Sequence, residues 1–92
     1  MRALAVRRFG ESPSIADLPV PVAEDSVLIR VSYAGVNPVD WQLVDQLTPG
    51  SSFPFVLGVD VAGIVEHVPA WELDLRIGDR VFGMARTHGS YA

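Results

Sequence analysis

The apolar positions of this chain fall into short runs with a period near two, broken by Gly and Pro corners. Ala3 to Arg8 reads as a first strand, ended by Phe9-Gly10. Glu11 to Pro21 is loop-like, because Pro13, Pro19 and Pro21 each remove a backbone donor. A place along a sheet edge still suits it, since an edge tolerates proline. Ser26 to Val36 carries the clearest alternation: Val27, Ile29, Val31 and Tyr33 interleave with Leu28, Arg30 and Ser32. Glu24-Asp25 before it has the character of a hairpin turn, which predicts pairing with an earlier strand.

Asn37-Pro38 ends this run and predicts a helix from Pro38 to about Asp45. Asn is a favoured N-cap, Pro suits the first helical position, and Asp40 falls at the third, near the positive end of the helix dipole. Trp41 and Val44 share one side of it. Gln46 to Phe55 is a loop rich in turn formers, Thr48-Pro49-Gly50-Ser51-Ser52 among them. Val56 to Val65, extending to Val68, reads as one buried strand with a bulge or close backbone approach at Gly58 or Gly63. Pro69 to Arg76 is a surface excursion with an exposed Trp71. Ile77 to Met84 is a turn feeding another strand, and Gly89-Ser90-Tyr91-Ala92 begins a further element. The sum is a mainly β fold, a barrel or sandwich with one or two short helices.

Composition changes this picture little. Half the residues are apolar (49%) and a fifth are charged (20%), which is ordinary for a soluble domain and argues against disorder. All seven basic residues are scattered Arg and the net charge is −4, so neither nucleic acid nor a membrane surface has an electrostatic footprint. The longest apolar stretch, Phe53 to Val65, is interrupted by Pro54, Gly58, Asp60 and Gly63 and is no membrane span. The absence of cysteine excludes disulfides, thiolate metal sites and a Cys nucleophile, and fits a cytoplasmic location.

Candidate chemistry is sparse. His67 and His88 have no His or Cys partner at ligand spacing, and each reads more simply as an ordinary imidazole. The Gly58 to Gly63 spacing lacks the Lys-Ser or Lys-Thr of a phosphate loop, and no Gly-x-Gly-x-x-Gly occurs. No Ser has a recognisable His and carboxylate set. What remains is Ala34-Gly35-Val36-Asn37-Pro38-Val39-Asp40-Trp41, with an amide, a carboxylate and an indole within five residues. It reads as a well-capped helix start or as a site.

These residues, with Pro54-Phe55-Val56-Leu57-Gly58-Val59-Asp60-Val61-Ala62-Gly63-Ile64-Val65, Gly78-Asp79-Arg80-Val81-Phe82-Gly83-Met84 and Gly89-Ser90-Tyr91-Ala92, resemble the N-terminal GroES-like domain of the medium-chain dehydrogenase/reductase superfamily. Met1-Arg2-Ala3-Leu4 and Arg8-Phe9-Gly10 fit as well. The nearest branch is that of the zinc-independent quinone oxidoreductases and enone reductases. The resemblance implies a GroES-like, partly open β-barrel. Zinc-dependent members carry Cys where this chain has Asn37 and Gly-His-Glu where it has Gly58-Val59-Asp60. An amide and a valine cannot hold tetrahedral Zn²⁺, so no metal is expected.

The implied chemistry is hydride transfer from NADPH or NADH to a quinone or an enone. The resemblance places Asn37 beside the nicotinamide as a catalytic and cofactor-binding residue, with Asp40 and Gln42 orienting it or touching substrate. Many relatives carry Lys or Tyr at the position of Gln42, and Gln supplies neither a cation nor an acidic phenol. Trp41 and Phe53 are candidate substrate walls, Trp41 equally a candidate for plain core. Asp60 is a candidate on the substrate side or a hydrogen-bonding group at a strand end. Relatives bind the dinucleotide through a C-terminal Rossmann domain. Residues 1–92 hold the GroES-like domain without it, so the expectation is a truncated domain, inactive alone, that works with a Rossmann domain in cis or trans. Self-association through exposed strand edges is a further expectation. The alternative is a non-catalytic GroES-like module for interaction or assembly.

Overall fold

The computed structural model describes residues 1–21, 24–85 and 89–92. His88 lies outside these described residues. The described chain forms six strands and one helix: β1 (Arg2–Val6), β2 (Ser14–Asp17), β3 (Leu28–Ala34), α1 (Pro38–Asp45), β4 (Phe55–Val56), β5 (Asp60–His67) and β6 (Arg80–Met84). They build two antiparallel three-stranded sheets, ordered β2-β1-β4 and β3-β5-β6. The fold is mainly β, and among the described residues the sheets do not close into a barrel, as in a partial GroES-like barrel.

The first sheet is built on small residues. Ala3 faces Ala16 across β1 and β2, and Ala5 and Val6 face Val56 and Phe55 of β4. Ala3, Ala5, Val6 and Ala16 are all buried, with Leu57, Val59 and Val65 completing the apolar core. β2 lies within the segment read as a loop. It is an outer strand flanked by Pro13 and Pro19, the edge location its prolines permit.

Two expectations are corrected. The strand after Glu24-Asp25 does not pair with an earlier one: β3 pairs with β5, whose partner residues lie 27 to 39 positions later. Both edges of β1 are already taken by β2 and β4, and Pro19 and Pro21 remove the donors a hairpin ladder would need. The run from Val56 to Val65 is not one strand. Val56 belongs to the first sheet and Asp60 opens β5 in the second, with the crossing made at Gly58 (φ +95°).

β3 also departs from simple alternation. Val31 faces Gly63 and Tyr33 faces Ala62, so Ser32 is an extra residue, a bulge. The slip moves Tyr33 off the face of Ile29 and Val31 and leaves it 78% exposed. Tyr33, Ala62 and Phe82 then stand in one cross-strand row, with the pair Asp60–Met84 two residues along β5 on the same face. Phe82 and Met84 are strongly exposed. The Asn37 corner lies at one end of this apolar face.

Candidate functional site

Asn37 is the N-cap of α1, with extended backbone (φ −134°, ψ 157°) and Pro38 at the first helical position. The helix spans Pro38–Asp45, as its cap chemistry predicts. Its one buried residue is not apolar: Asp40 is 1% exposed, whereas Trp41 is 56% exposed. A polar corner, not a hydrophobic stripe, therefore anchors this helix. Eight residues are too few for a helix to hold its shape alone in water.

The corner is built around Asp40 Oδ2. It accepts the Asn37 backbone N–H (2.8 Å), the carboxylate arm of a capping box. It also accepts from the Tyr91 hydroxyl (2.8 Å), which lies 2.9 Å from the Gly35 carbonyl as well. Asp40 Oδ1 is buried with no hydrogen-bond partner among the described residues. The Asn37 side chain turns the other way. Its Nδ2 donates to Asp60 Oδ2 at 2.8 Å, joining the helix start to the start of β5. The Gly35 N–H donates to the Asp60 carbonyl (3.2 Å), so two bonds hold the end of β3 against Asp60.

Glycines make the room. A Cβ on Gly35 would sit 2.9 Å from Asp60 Cβ and 3.1 Å from its Oδ2, where the Asn37–Asp60 bond is made. A Cβ on Gly58 would run into Ser90 Oγ and the Tyr91 ring. The backbone around Tyr91 is fixed as well. Its N–H bonds the Leu57 carbonyl (2.9 Å) and its carbonyl accepts the Leu4 N–H (2.8 Å). Partial burial pushes the Tyr91 phenol up to about 12. The hydrogen bond to Asp40 and the negative charges of Asp40 and Asp60 act in the same direction.

Asp60 and Gly35 open onto a cleft of about 500 Å³ whose walls include Tyr33, Ala62, Phe82 and Met84. Trp41 faces a separate cleft of about 490 Å³ with Val6, Phe9, Val44 and Leu47. Phe53 is half-buried, lines neither cleft, and precedes the cis peptide to Pro54. Gln42 is exposed on α1, two positions from Asp40, a spacing that points away from the corner. The structure thus brings Asn37, Asp40 and Asp60 together and leaves Gln42, Trp41 and Phe53 apart from them. Tyr91, Tyr33, Phe82 and Met84 are additions that sequence reasoning missed. The one local signal for Tyr91 was an aromatic with a polar tip in a Gly-rich stretch.

Among the described residues no group of three His, Cys, Asp or Glu side chains is placed to hold a metal ion. His67 is half-buried, its Nε2 without a partner among the described residues. No described helix is long and apolar enough to cross a membrane.

Two open sheets meeting at a capped helix, with Asn37 bonded to Asp40 through its backbone N–H and to Asp60 through its side chain, are the architecture of a partial GroES-like barrel. Residues 23–91 match the family described as alcohol dehydrogenase GroES-like domain. The chain belongs to that family. It is 38% identical over its whole length to a quinone oxidoreductase of Sus scrofa and 37% identical to one of Homo sapiens, covering 30% of each. A trans-enoyl reductase of Petromyces alliaceus is 42% identical over 84% of the chain and 21% of its own length. Among solved structures, a probable oxidoreductase from Mycobacterium abscessus superposes with a TM-score of 0.71 at 26% identity. That match covers 99% of this chain and 30% of the other. The chain therefore spans about 30% of the length of the quinone oxidoreductases it matches.

Proposed function

We propose that these residues form the substrate-side domain of a zinc-independent, NAD(P)H-dependent oxidoreductase that reduces quinones or enones. The observation that carries the reading is the Asn37 carboxamide. Asp60 takes one of its two Nδ2 hydrogens, and no described residue claims the other. A donor held this way is aimed without reorganisation, the property that stabilises charge developing on a substrate carbonyl oxygen. The nearby apolar cleft, walled by Tyr33, Phe82 and Met84, suits a flat, uncharged substrate.

The donor set fits the nicotinamide end of a dinucleotide and not its diphosphate. Asn37 has one amide hydrogen left to give, to the nicotinamide or to the substrate carbonyl, and Asp40 and Asp60 favour a ring that becomes cationic on oxidation. The same two carboxylates, with no ion-paired cation among the described residues, repel phosphate. NADPH or NADH would then be held mainly by a Rossmann domain outside these residues, with Asn37 touching its nicotinamide. When bound, the reduced nicotinamide supplies the hydride. The chain's own residues orient the carbonyl, offer it an apolar wall and hold the Asn37 amide in place. Asp40 fixes the Asn37 backbone and Asp60 its side chain. Gln42, Trp41 and Phe53 would meet only the outer parts of a larger substrate.

The test joins the chain to a Rossmann domain, in cis or in trans, and follows NADPH oxidation with quinones and enones. Turnover that falls on the order of a hundredfold in Asn37→Ala supports the reading. No turnover with either class, or equal turnover after Asn37→Ala, refutes it. The exposed row Tyr33, Phe82 and Met84 favours a second reading, a non-catalytic assembly module. A stable stoichiometric complex by light scattering, without reductase activity, would select it.

A further inference from the structure

We propose that Tyr91 is a positioning residue for the Asn37 amide, an inference that rests on the functional reading above. The Tyr91 hydroxyl has one proton and two acceptors in range, the Gly35 carbonyl at 2.9 Å and Asp40 Oδ2 at 2.8 Å. These groups stand two residues before Asn37 and three after it. The phenol therefore brackets the turn on which Asn37 sits. Asp40 Oδ2 receives the Asn37 N–H from the other side, so moving Asp40 moves the Asn37 backbone. Gly35 is bonded in turn to the Asp60 carbonyl, and Asp60 holds the Asn37 side chain. Each path from Tyr91 reaches Asn37 through a single intervening residue or through the Gly35–Asp60 pair.

The bracket is itself rigid. Backbone bonds to Leu4 and Leu57 fix residue 91, and the ring occupies space left open at Gly58. A residue that only filled space would not need its hydroxyl directed at the two groups flanking the cap. A bound amide donor within a fraction of an ångström of its target needs such support, because small displacements are costly in rate.

The experiment is NMR on the protein and on its Tyr91→Phe variant, with the reconstituted reductase assayed in parallel. In Tyr91→Phe the exchange of the Asn37 backbone amide should quicken by roughly tenfold or more, the loss expected for a bond to a charged group. The Asn37 carboxamide signals should move toward free values, while amides in the β3–β5 ladder keep their protection. Unchanged Asn37 signals, or a loss of protection shared by the ladder, overturn the proposal. A second measurement needs no variant. The Tyr91 hydroxyl oxygen and the Asn37 amide nitrogen both lie 2.8 Å from Asp40 Oδ2, so their protons should show a mutual cross-relaxation peak. A hydroxyl proton without that peak, or one exchanging too fast to observe, also overturns it. In the reconstituted enzyme, Tyr91→Phe should lower kcat by about tenfold with KM little changed. An inactive wild-type reconstitution would count against the functional reading, while the NMR result would still decide the bracket.

Discussion

Replacing Gly63 by Ala should split the larger sheet, and the reason is unusually local. Gly63 lies in β5 opposite Val31 of β3 and is buried. Its φ lies outside the left-handed region, so alanine's backbone preference is no obstacle. The obstacle is space. An added Cβ would run into the Arg30 carbonyl oxygen and lie 2.9 Å from both the Arg30 carbonyl carbon and Ile29 Cγ2. Backbone atoms cannot rotate away, so β3 and β5 must part by about an ångström to restore ordinary contact. That lengthens at least two ladder hydrogen bonds beyond useful range, at about 0.5–1.5 kcal/mol each, and adds packing strain of about 1–3 kcal/mol. Removing glycine from the unfolded chain offsets about 0.4–1 kcal/mol. The net loss is about 3 kcal/mol, or a fall in Tm of at least about 10 °C for a domain of this size.

Gly83 supplies the internal control. It sits in the neighbouring strand β6, and a Cβ there meets nothing within 4 Å. Gly83→Ala should be neutral or stabilising by up to about 1 kcal/mol. The assay is urea denaturation of both variants, followed by far-UV circular dichroism, with m-values compared. Equal midpoints for the two variants, within about 0.5 kcal/mol, would refute the steric account.

Three further outcomes follow from the polar corner. In a Tyr33→Phe background the remaining phenol, Tyr91, should titrate near pH 12 by near-ultraviolet absorbance. Because its folded pKa is raised above the ordinary value near 10, its contribution to stability is complete below about pH 10 and fades as pH rises toward 12. Tyr91→Phe should abolish that fading, as read from alkaline denaturation curves. Asn37→Asp removes the donor to Asp60 Oδ2 and sets a third carboxylate against two others, so it should destabilise by about 1–3 kcal/mol at neutral pH. Like charges raise a carboxyl's pKa, so that deficit should shrink as pH falls through about 5 to 4, measured by thermal melts. Asp40→Ala strips the cap of its carboxylate and Tyr91 of an acceptor, and should cost about 2–4 kcal/mol by denaturant titration.

Local chemistry made part of this molecule readable in its sequence. Asn37, Pro38 and Asp40 announce the helix because capping acts over three residues. The edge character of the proline-rich segment around Ile15 follows from missing donors in the chain itself. Other features depend on distant partners. The bulge at Ser32 exists only in register with β5, and it turns Tyr33 from an inward residue of an alternating strand into an exposed wall. The β-branched run from Val56 to Val65 carries no sign that Gly58 adopts a positive φ and divides it between two sheets. Asn37 and Asp60 were each legible as candidates, but the bond between them joins two segments 23 positions apart, and no local pattern announces it. Tyr91 was least accessible, since its acceptors lie 51 and 56 residues upstream.

Those separations bear on how the chain matures during translation. A ribosome releases Gly35, Asn37 and Asp40 well before Tyr91, at about 5–20 residues per second. For that interval of seconds the short helix has its cap residues and lacks the phenol that braces them. The β1–β2 hairpin and the β3–β5 pairing can form in this period, because their residues have already emerged. The two hydrogen bonds that brace the corner cannot form until Tyr91 emerges. The sheet pairings can thus precede the bonds that Tyr91 makes to Gly35 and Asp40.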